Sequence, residues 1–377
     1  MSDIISYLTK IRFGDGAVAE LPDEMELLGI RRPLIITDRG LVANGLIDSA
    51  LEAAKLSSAP PVFSGTPENP TESAVLSALD RLRSSDADGL IAIGGGSSLD
   101  LAKGVALLAT HDGPLEPYAA IYGGVAKIGA VLPLIAVPTT AGTGSEVGRA
   151  ALITLANGRK LGFVSPNLIP RCAVCDPELT AGLPPQLTAA TGMDAVSHCI
   201  ETFLSPRINP VADAIALDGL ARAASHLPRA YADGADKEAR REMMMAALQG
   251  ALAFQKGLGA VHSTSHALGG LAKPKLHHGT LNAVMMPPVL RFNAPVCKEK
   301  YARIRSAMGL APDADVAEAL AGLSAKLGLP ATLGEMGVPA ARLDELAGWS
   351  FEDHSTATNP RPATVEDFRA ILDEAMG

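Results

Sequence analysis

Hydrophobic residues in the first half of the chain occur as short continuous runs, each followed by a turn and then by a segment with helical spacing. The runs at 33–37, 61–63, 90–93 and 132–137 have strand length, whereas the apolar positions of 71–84 fall on one side of a helix. Strands that alternate with helices are typical of a parallel sheet covered by helices on both faces. The pattern predicts an α/β N-terminal domain with a parallel sheet over residues 1–180.

From about residue 185 the pattern changes. Ala, Leu, Met, Gln and Glu dominate, strand-like runs almost vanish, and Pro and Gly separate long segments with helical spacing. Representative helices are predicted at 187–204, 210–226, 238–257 and 297–308. We therefore expect an all-helical C-terminal domain over residues 181–377.

Charge and composition narrow the class of partner. The chain has 377 residues and a formal net charge of −9, whereas nucleic acid and anionic membranes require a basic surface. The most apolar stretch, 90–110, contains Asp100 and Lys103, which favours a buried strand, turn and helix over a membrane span. Neither nucleic acid nor a membrane is therefore expected as a partner.

The cysteine content and the N-terminus bear on the compartment. Four cysteines in a chain of this length do not indicate a disulfide scaffold. Residues 1–7 have no basic segment followed by an apolar one, so no signal peptide is expected. These features predict a cytoplasmic protein.

Two loops rich in glycine and hydroxyl residues follow predicted strands. In the first, Gly94-Gly-Gly-Ser-Ser98 leads directly into a helix, where backbone N–H groups and the helix dipole favour a pyrophosphate. It lacks the Gly-x-Gly-x-x-Gly fingerprint, and a tight turn without a ligand stays an alternative. The second, 139–145, is expected to border the same crevice at the carboxyl ends of the strands.

Asp38 ends an earlier predicted strand. A carboxylate there can accept hydrogen bonds from ribose hydroxyls and would repel a 2′-phosphate, which favours NAD over NADP. An ordinary turn residue at the end of a strand fits the position equally well.

The second half of the chain concentrates groups that bind metal ions. Asp194 and His198 are four residues apart, as are His262 and His266, and a His-His dipeptide follows at 277–278. On a helix, side chains four apart share a face. One aspartate and three histidines make a plausible site for Fe²⁺ or Zn²⁺, although a single pair of this kind is more often structural.

Nucleophilic catalysis is less well supported. Cys172 and Cys175 have the spacing of metal ligands, but they lie in an apolar, strand-like run that is typical of a packed core. Ser145 follows Gly144 without the Gly-x-Ser-x-Gly pattern of a nucleophile elbow.

Four segments together resemble the iron-containing alcohol dehydrogenase family over essentially the whole chain. They are Gly94-Gly-Gly-Ser-Ser-Leu-Asp-Leu-Ala-Lys103, Pro138-Thr-Thr-Ala-Gly-Thr-Gly-Ser-Glu-Val147, Gly192-Met-Asp-Ala-Val-Ser-His198 and His278-Gly-Thr-Leu-Asn-Ala283. Within that family the chain is most similar to 4-hydroxybutyrate dehydrogenases. That likeness rests on the segments 189–194, 254–259 and 276–282.

The resemblance implies a set of site residues. Metal ligation is implied for Asp194, His198, His262 and His278. His266 is implied to lie near the reacting centre. Contact with NAD is implied for Asp38, Asn69, Gly95, Gly96, Ser97, Thr139, Thr140, Lys160 and Leu179. The interval from His262 to the last metal ligand is longer than in many members of the family, so His277 is an alternative to His278 as that ligand. His278 is preferred because it carries the His-Gly-x-x-Asn-Ala match.

These features predict an oxidoreductase that transfers hydride between NAD and a primary alcohol/aldehyde pair, 4-hydroxybutyrate and succinate semialdehyde. A divalent metal is expected to polarise the substrate oxygen, with Fe²⁺ preferred over Zn²⁺. A cation from Lys273 or Lys275 would pair with the substrate carboxylate. We also expect a homo-oligomer. The alternatives are a general medium-chain alcohol dehydrogenase, a lyase related to dehydroquinate synthase and a non-catalytic nucleotide-binding protein.

Overall fold

The computed structural model describes residues 9–56, 59–271 and 273–377, and the N-terminal segment searched for a signal peptide lies outside them. The chain forms two compact units. The first comprises 9–140 and Ser145–Gly182, and the second comprises Ala141–Gly144 and Leu183–Gly377. The short loop Ala141–Gly144, which belongs to the second unit, has no signature in the sequence that separates it from the first.

The first unit contains a parallel sheet. The strands described in this unit are β1 (Lys10–Phe13), β2 (Pro33–Ile36), β3 (Val62–Phe63), β4 (Gly89–Gly94), β5 (Leu134–Pro138), β6 (Ala150–Thr154), β7 (Lys160–Val164) and β8 (Cys172–Cys175). Six of them pair in parallel in the order β1-β8-β5-β4-β2-β3, and β6 and β7 form a separate antiparallel hairpin. The predicted fold class for this half is confirmed.

Alternation of side chains along the buried strands creates a core on each face of the sheet. Leu34 and Leu90 point into one core, and Ile35 and Ile91 point into the other. Helices cover both cores, and they are α1 (Leu21–Leu28), α2 (Arg39–Ala43), α3 (Leu46–Ala54), α4 (Glu72–Ser84) and α5 (Gly96–Leu108). This arrangement aligns the carboxyl ends of β4 and β5, where the two predicted loops begin.

The described part of the second unit is helical, as predicted. Its helices are α6 (Pro185–Leu204), α7 (Pro210–Ala232), α8 (Lys237–Ala253), α9 (Ala260–Gly269), α10 (His278–Asn293), α11 (Lys298–Ala307), α12 (Val316–Lys326), α13 (Leu343–Glu352) and α14 (Val365–Met376). Helix α6 packs against α7, α8 and α10. Among the described residues, no helix combines the length and the apolar character needed to cross a bilayer.

Candidate functional site

Three helices of the second unit bring three buried donors and one half-buried donor to one point. Helix α6 carries Asp194 and His198, α9 carries His262, and α10 begins at His278. The Oδ1 atom of Asp194 lies 3.6 Å from the Nε2 atom of each of the three histidines. A single carboxylate oxygen is therefore equidistant from three imidazole nitrogens.

Gly279 allows α10 to begin this close to α6. A Cβ atom at that position would lie 2.1 Å from the carbonyl oxygen of Ala190, a distance that no side chain tolerates. The glycine of the His-Gly motif therefore permits the helix contact that brings His278 up to Asp194. Helical spacing then places Asn282 on the same face of α10 as His278.

The distances between Asp194 and the three imidazoles fit a bound cation. Ligand atoms around a tetrahedral ion with bonds of about 2.1 Å are separated by about 3.4 Å, close to the 3.6 Å found here. Fe²⁺ and Zn²⁺ both accept imidazole nitrogen and carboxylate oxygen. Asp194, His262 and His278 offer ligand atoms that all lie within 4.8 Å of one another, so these three residues can hold either ion. His198 does not belong to that compact group and approaches it through its 3.6 Å distance to Asp194.

Burial and the charges within the cluster shift the pKa values of its members in different directions. Burial lowers the pKa of His198 to about 4, against the opposing effect of Asp194, so this imidazole is neutral at pH 7. Burial alone would raise the pKa of Asp194, but the neighbouring imidazoles hold it well below its ordinary value. Burial lowers the pKa of His262, yet Asp194 and Glu201 outweigh burial and raise it to about 9.

Two further residues of this centre were not predicted from the sequence. The Nδ2 atom of Asn282 donates to Asp194 Oδ1 at 2.6 Å and lies 3.3 Å from the Nε2 atoms of His262 and His278. Glu201 Oε2 lies 2.5 Å from His262 Nδ1. Spacing on one helix face was the available signal, because Asn282 follows His278 by four residues and Glu201 follows Asp194 by seven.

His266 lies beside the centre and has a carboxylate partner of its own. Its Nδ1 atom is 3.0 Å from Asp353 Oδ2, and its ring stacks on that of His278 with centroids 5.5 Å apart. Burial would raise the pKa of Asp353, but His266 and His354 hold it well below its usual range. Asp353 is remote in the sequence, so no local pattern could have identified it.

The structure separates the two competing histidines by position. His278 is the first residue of α10 and lies against Asp194. His277 occupies the N-cap position just before that helix and has an extended backbone. His278 is therefore a better candidate than His277 for the fourth donor.

The two predicted loops begin side by side in the first unit. Gly95 is the N-cap residue of α5, and the backbone N–H of Thr139 donates to the carbonyl of Gly94 at 3.0 Å. Gly96 and Ser97 form the first turn of α5, whose N-terminus offers free N–H groups to an anion. Thr140 follows Thr139 on the second loop, and these two are the residues of that loop for which contact with NAD is implied.

The other residues implied for NAD occupy several positions in the first unit. Asp38 is the N-cap residue of α2 and accepts a hydrogen bond from the Leu41 N–H at 3.0 Å. Lys160 Nζ donates to Asn69 Oδ1 at 2.9 Å, and Ser97 Oγ donates to the carbonyl of Glu68. Leu179 lies in a short 3₁₀ turn and packs against the core on the α1 side.

The nucleophiles considered above are structural. Cys172 and Cys175 are buried in β8, and burial raises the pKa of Cys172 to about 12. Ser145 Oγ donates to Asp100 Oδ1 at 2.6 Å.

Lys273 and Lys275 are exposed on the segment between α9 and α10.

Sequence and structure comparisons agree along the whole chain. A family profile described as iron-containing alcohol dehydrogenase matches residues 9–177, and one described as Fe-containing alcohol dehydrogenase family, C-terminal, matches 188–376. The chain is 55% identical to a 4-hydroxybutyrate dehydrogenase from Cupriavidus necator, across 99% of both proteins. It is 37% identical to an NAD-dependent methanol dehydrogenase from Bacillus methanolicus, across 96% of this chain and 97% of that protein.

A solved 1,3-propanediol oxidoreductase superimposes with a TM-score of 0.92 at 35% identity, covering 99% of this chain and all of the other. Both halves of the fold and the complete length are thus shared with proteins of one kind. The chain belongs to the iron-containing alcohol dehydrogenase family.

Proposed function

We propose that this chain is an NAD-dependent oxidoreductase that interconverts 4-hydroxybutyrate and succinate semialdehyde with the help of a divalent metal. The observation that carries the proposal is the equal 3.6 Å separation of three imidazole nitrogens from Asp194 Oδ1. When bound there, Fe²⁺ or Zn²⁺ supplies Lewis acidity toward an alcohol or carbonyl oxygen.

The residues around the centre have assignable tasks in this proposal. Asp194, His198, His262 and His278 hold the ion. A carboxylate can only accept a hydrogen bond, so Asp353 keeps a hydrogen on Nδ1 of His266 and leaves Nε2 as the nitrogen that exchanges a proton. In the first unit, the N-terminus of α5 and the adjacent loop at Thr139 and Thr140 bind the NAD phosphates.

The proposed substrate rests on the 55% identity to a 4-hydroxybutyrate dehydrogenase, which extends over the full length of both proteins. A carboxylate substrate requires a cation to recognise it, and a charge-assisted hydrogen bond contributes roughly 1.5–3 kcal/mol. We assign that role to Lys273 or Lys275, which lie just before the helix that begins with His278.

A comparison of substrates tests this assignment. We expect kcat/KM for 4-hydroxybutyrate to exceed that for 1-butanol by about 10- to 150-fold, because only the acid gains the charge-assisted contact. Lys273→Ala or Lys275→Ala should remove most of this preference without lowering turnover of 1-butanol. The measurement is steady-state NADH formation with each substrate.

Lys326→Ala is the matched control, because Lys326 is an exposed lysine on α12. It should leave the substrate preference unchanged. Equal kcat/KM for the two substrates in the wild type would contradict the carboxylate hypothesis and favour a general medium-chain alcohol dehydrogenase.

Cofactor preference gives an independent test in the first unit. Asp38→Gly should narrow the preference for NAD over NADP by roughly tenfold or more, because a carboxylate near the ribose repels a 2′-phosphate. Asp38 also caps α2, so Asp38→Asn is the informative partner variant: asparagine keeps the cap and removes the charge. Equal kcat/KM with both cofactors in the wild type would show that Asp38 does not face the ribose.

A cytoplasmic location and a homo-oligomeric state complete the proposal. All four cysteines are unpaired and buried, as expected for a protein that works in a reducing compartment. Light scattering of the purified protein measures the oligomeric state.

A further inference from the structure

The further inference concerns Glu201, which lies on α6 behind the proposed metal ligands and is 5% exposed. Its Oε2 atom is 2.5 Å from His262 Nδ1, on the side of the imidazole opposite to Nε2. Because a carboxylate can only accept, Nδ1 carries the hydrogen. When His262 is neutral, as a metal ligand must be, its lone pair is therefore on Nε2, the nitrogen that lies 3.6 Å from Asp194 Oδ1.

The same carboxylate also caps the helix that carries His262. Oε1 accepts the backbone N–H of Val261 at 2.7 Å, and Oε2 accepts that of His262 at 3.3 Å. These N–H groups belong to the first turn of α9, whose N-cap residue is Gly259 and offers no side chain. Glu201 thus fixes both the backbone and the ring of a single residue.

Gly259 leaves the space that this arrangement requires. A Cβ atom on Gly259 would lie 2.9 Å from Glu201 Oε1 and 2.8 Å from Asn359 Oδ1. A side chain at this position would displace both groups from the end of α9. The absence of a side chain at Gly259 therefore permits the close approach of the Glu201 carboxylate to the end of α9.

We propose that Glu201 is a positioning residue for the metal centre: it sets the tautomer and the orientation of His262 and thereby raises the affinity for the cation. This inference rests on the proposed function, since it presupposes that the four donors bind a metal. Carboxylates that orient a ligating histidine typically change metal affinity by roughly 10- to 100-fold when they are removed.

The chain contains a matched control for the capping role. Asn359 Oδ1 accepts the backbone N–H of Ala260 at 3.1 Å, at the same end of α9, and its other contacts involve Asn293 and Arg361 rather than His262. Asn359→Ala removes a cap at this end of α9 but leaves the contact between Glu201 and the imidazole of His262 in place. Glu201→Ala removes both the cap and the partner of the imidazole, and Glu201→Gln keeps the volume and removes the charge.

The test uses Co²⁺ as the probe, added to the full-length protein after metal removal. Chelator competition gives its dissociation constant, the visible absorption spectrum reports the ligand geometry, and thermal unfolding without metal reports the fold. We expect the dissociation constant to rise roughly 10- to 100-fold in Glu201→Ala and by an intermediate factor in Glu201→Gln, with an altered spectrum. Asn359→Ala should lower the unfolding temperature and change the dissociation constant by less than about threefold.

Two outcomes would overturn the proposal in different ways. If wild type binds Co²⁺ and both Glu201 variants bind it with the affinity and spectrum of Asn359→Ala, Glu201 only caps the helix and the metal centre stands. If wild type itself does not bind Co²⁺, the metal centre and the role of Glu201 fail together.

Discussion

His198→Ala is expected to lose most of its bound metal and nearly all of its turnover. The variant removes one of four donors, and loss of a direct ligand should cost more than the roughly 10- to 100-fold in affinity that a supporting residue contributes. The fold should survive, because His198 is neutral at pH 7 and its removal leaves no unpaired charge. Elemental analysis, steady-state kinetics and circular dichroism measure the three quantities.

His226→Ala is the matched control, since His226 lies on α7 and its Nδ1 atom contacts the carbonyl of Arg222. It should keep both metal and activity. His278→Ala should behave like His198→Ala, whereas His277→Ala should retain the ion. A His198 variant with full metal content and full turnover would refute the assignment of the ligands.

Lys103→Met is expected to destabilise the first unit by about 3–5 kcal/mol, because it leaves a hydroxyl and two backbone carbonyls without their hydrogen-bond donor. Lys103 is fully buried in α5, and its Nζ atom donates to Ser145 Oγ and to the carbonyls of Gly148 and Ala150 at 2.7–2.9 Å. Burial lowers its pKa to about 8, against the attraction of Asp100 and Glu146. The lysine therefore ties α5 to the segment that leads into β6.

Thermal unfolding measures this effect. With about 2–4 °C per kcal/mol for a domain of this size, the melting temperature should fall by about 6–20 °C. Lys127→Ala is the control, because Lys127 is exposed and donates to the carbonyl of Pro117. A shift no larger than that of the control would show that the buried ammonium contributes little to stability.

Much of the α/β unit was predictable because its strands are buried on both faces. The predicted runs at 33–37 and 90–93 correspond to β2 and β4 to within a residue at each end. Strands with mixed burial gave no such signal: β6 alternates between buried and half-buried positions, and β1 is exposed at its first residue. Both were missed for that reason.

For the candidate site, helical spacing predicted that Asp194 and His198 share one helix face, and both residues lie on α6. Spacing could not identify which of two adjacent histidines faces inward, because that depends on where α10 begins. It also could not identify Asp353, whose contact with His266 exists only after α13 has packed against α9. Tertiary contacts of this kind have no counterpart in the local sequence.

The proposed donors come from three helices, α6, α9 and α10, that are separated by long stretches of chain. An ion that they share would act as a cross-link between distant segments, and its complete ligand set would not exist in the unfolded chain. Its binding free energy would therefore add to the folding free energy of the helical unit. The α/β unit contributes none of these donors, so the supply of metal in the cell would govern the folded lifetime of one half of the protein and not directly that of the other.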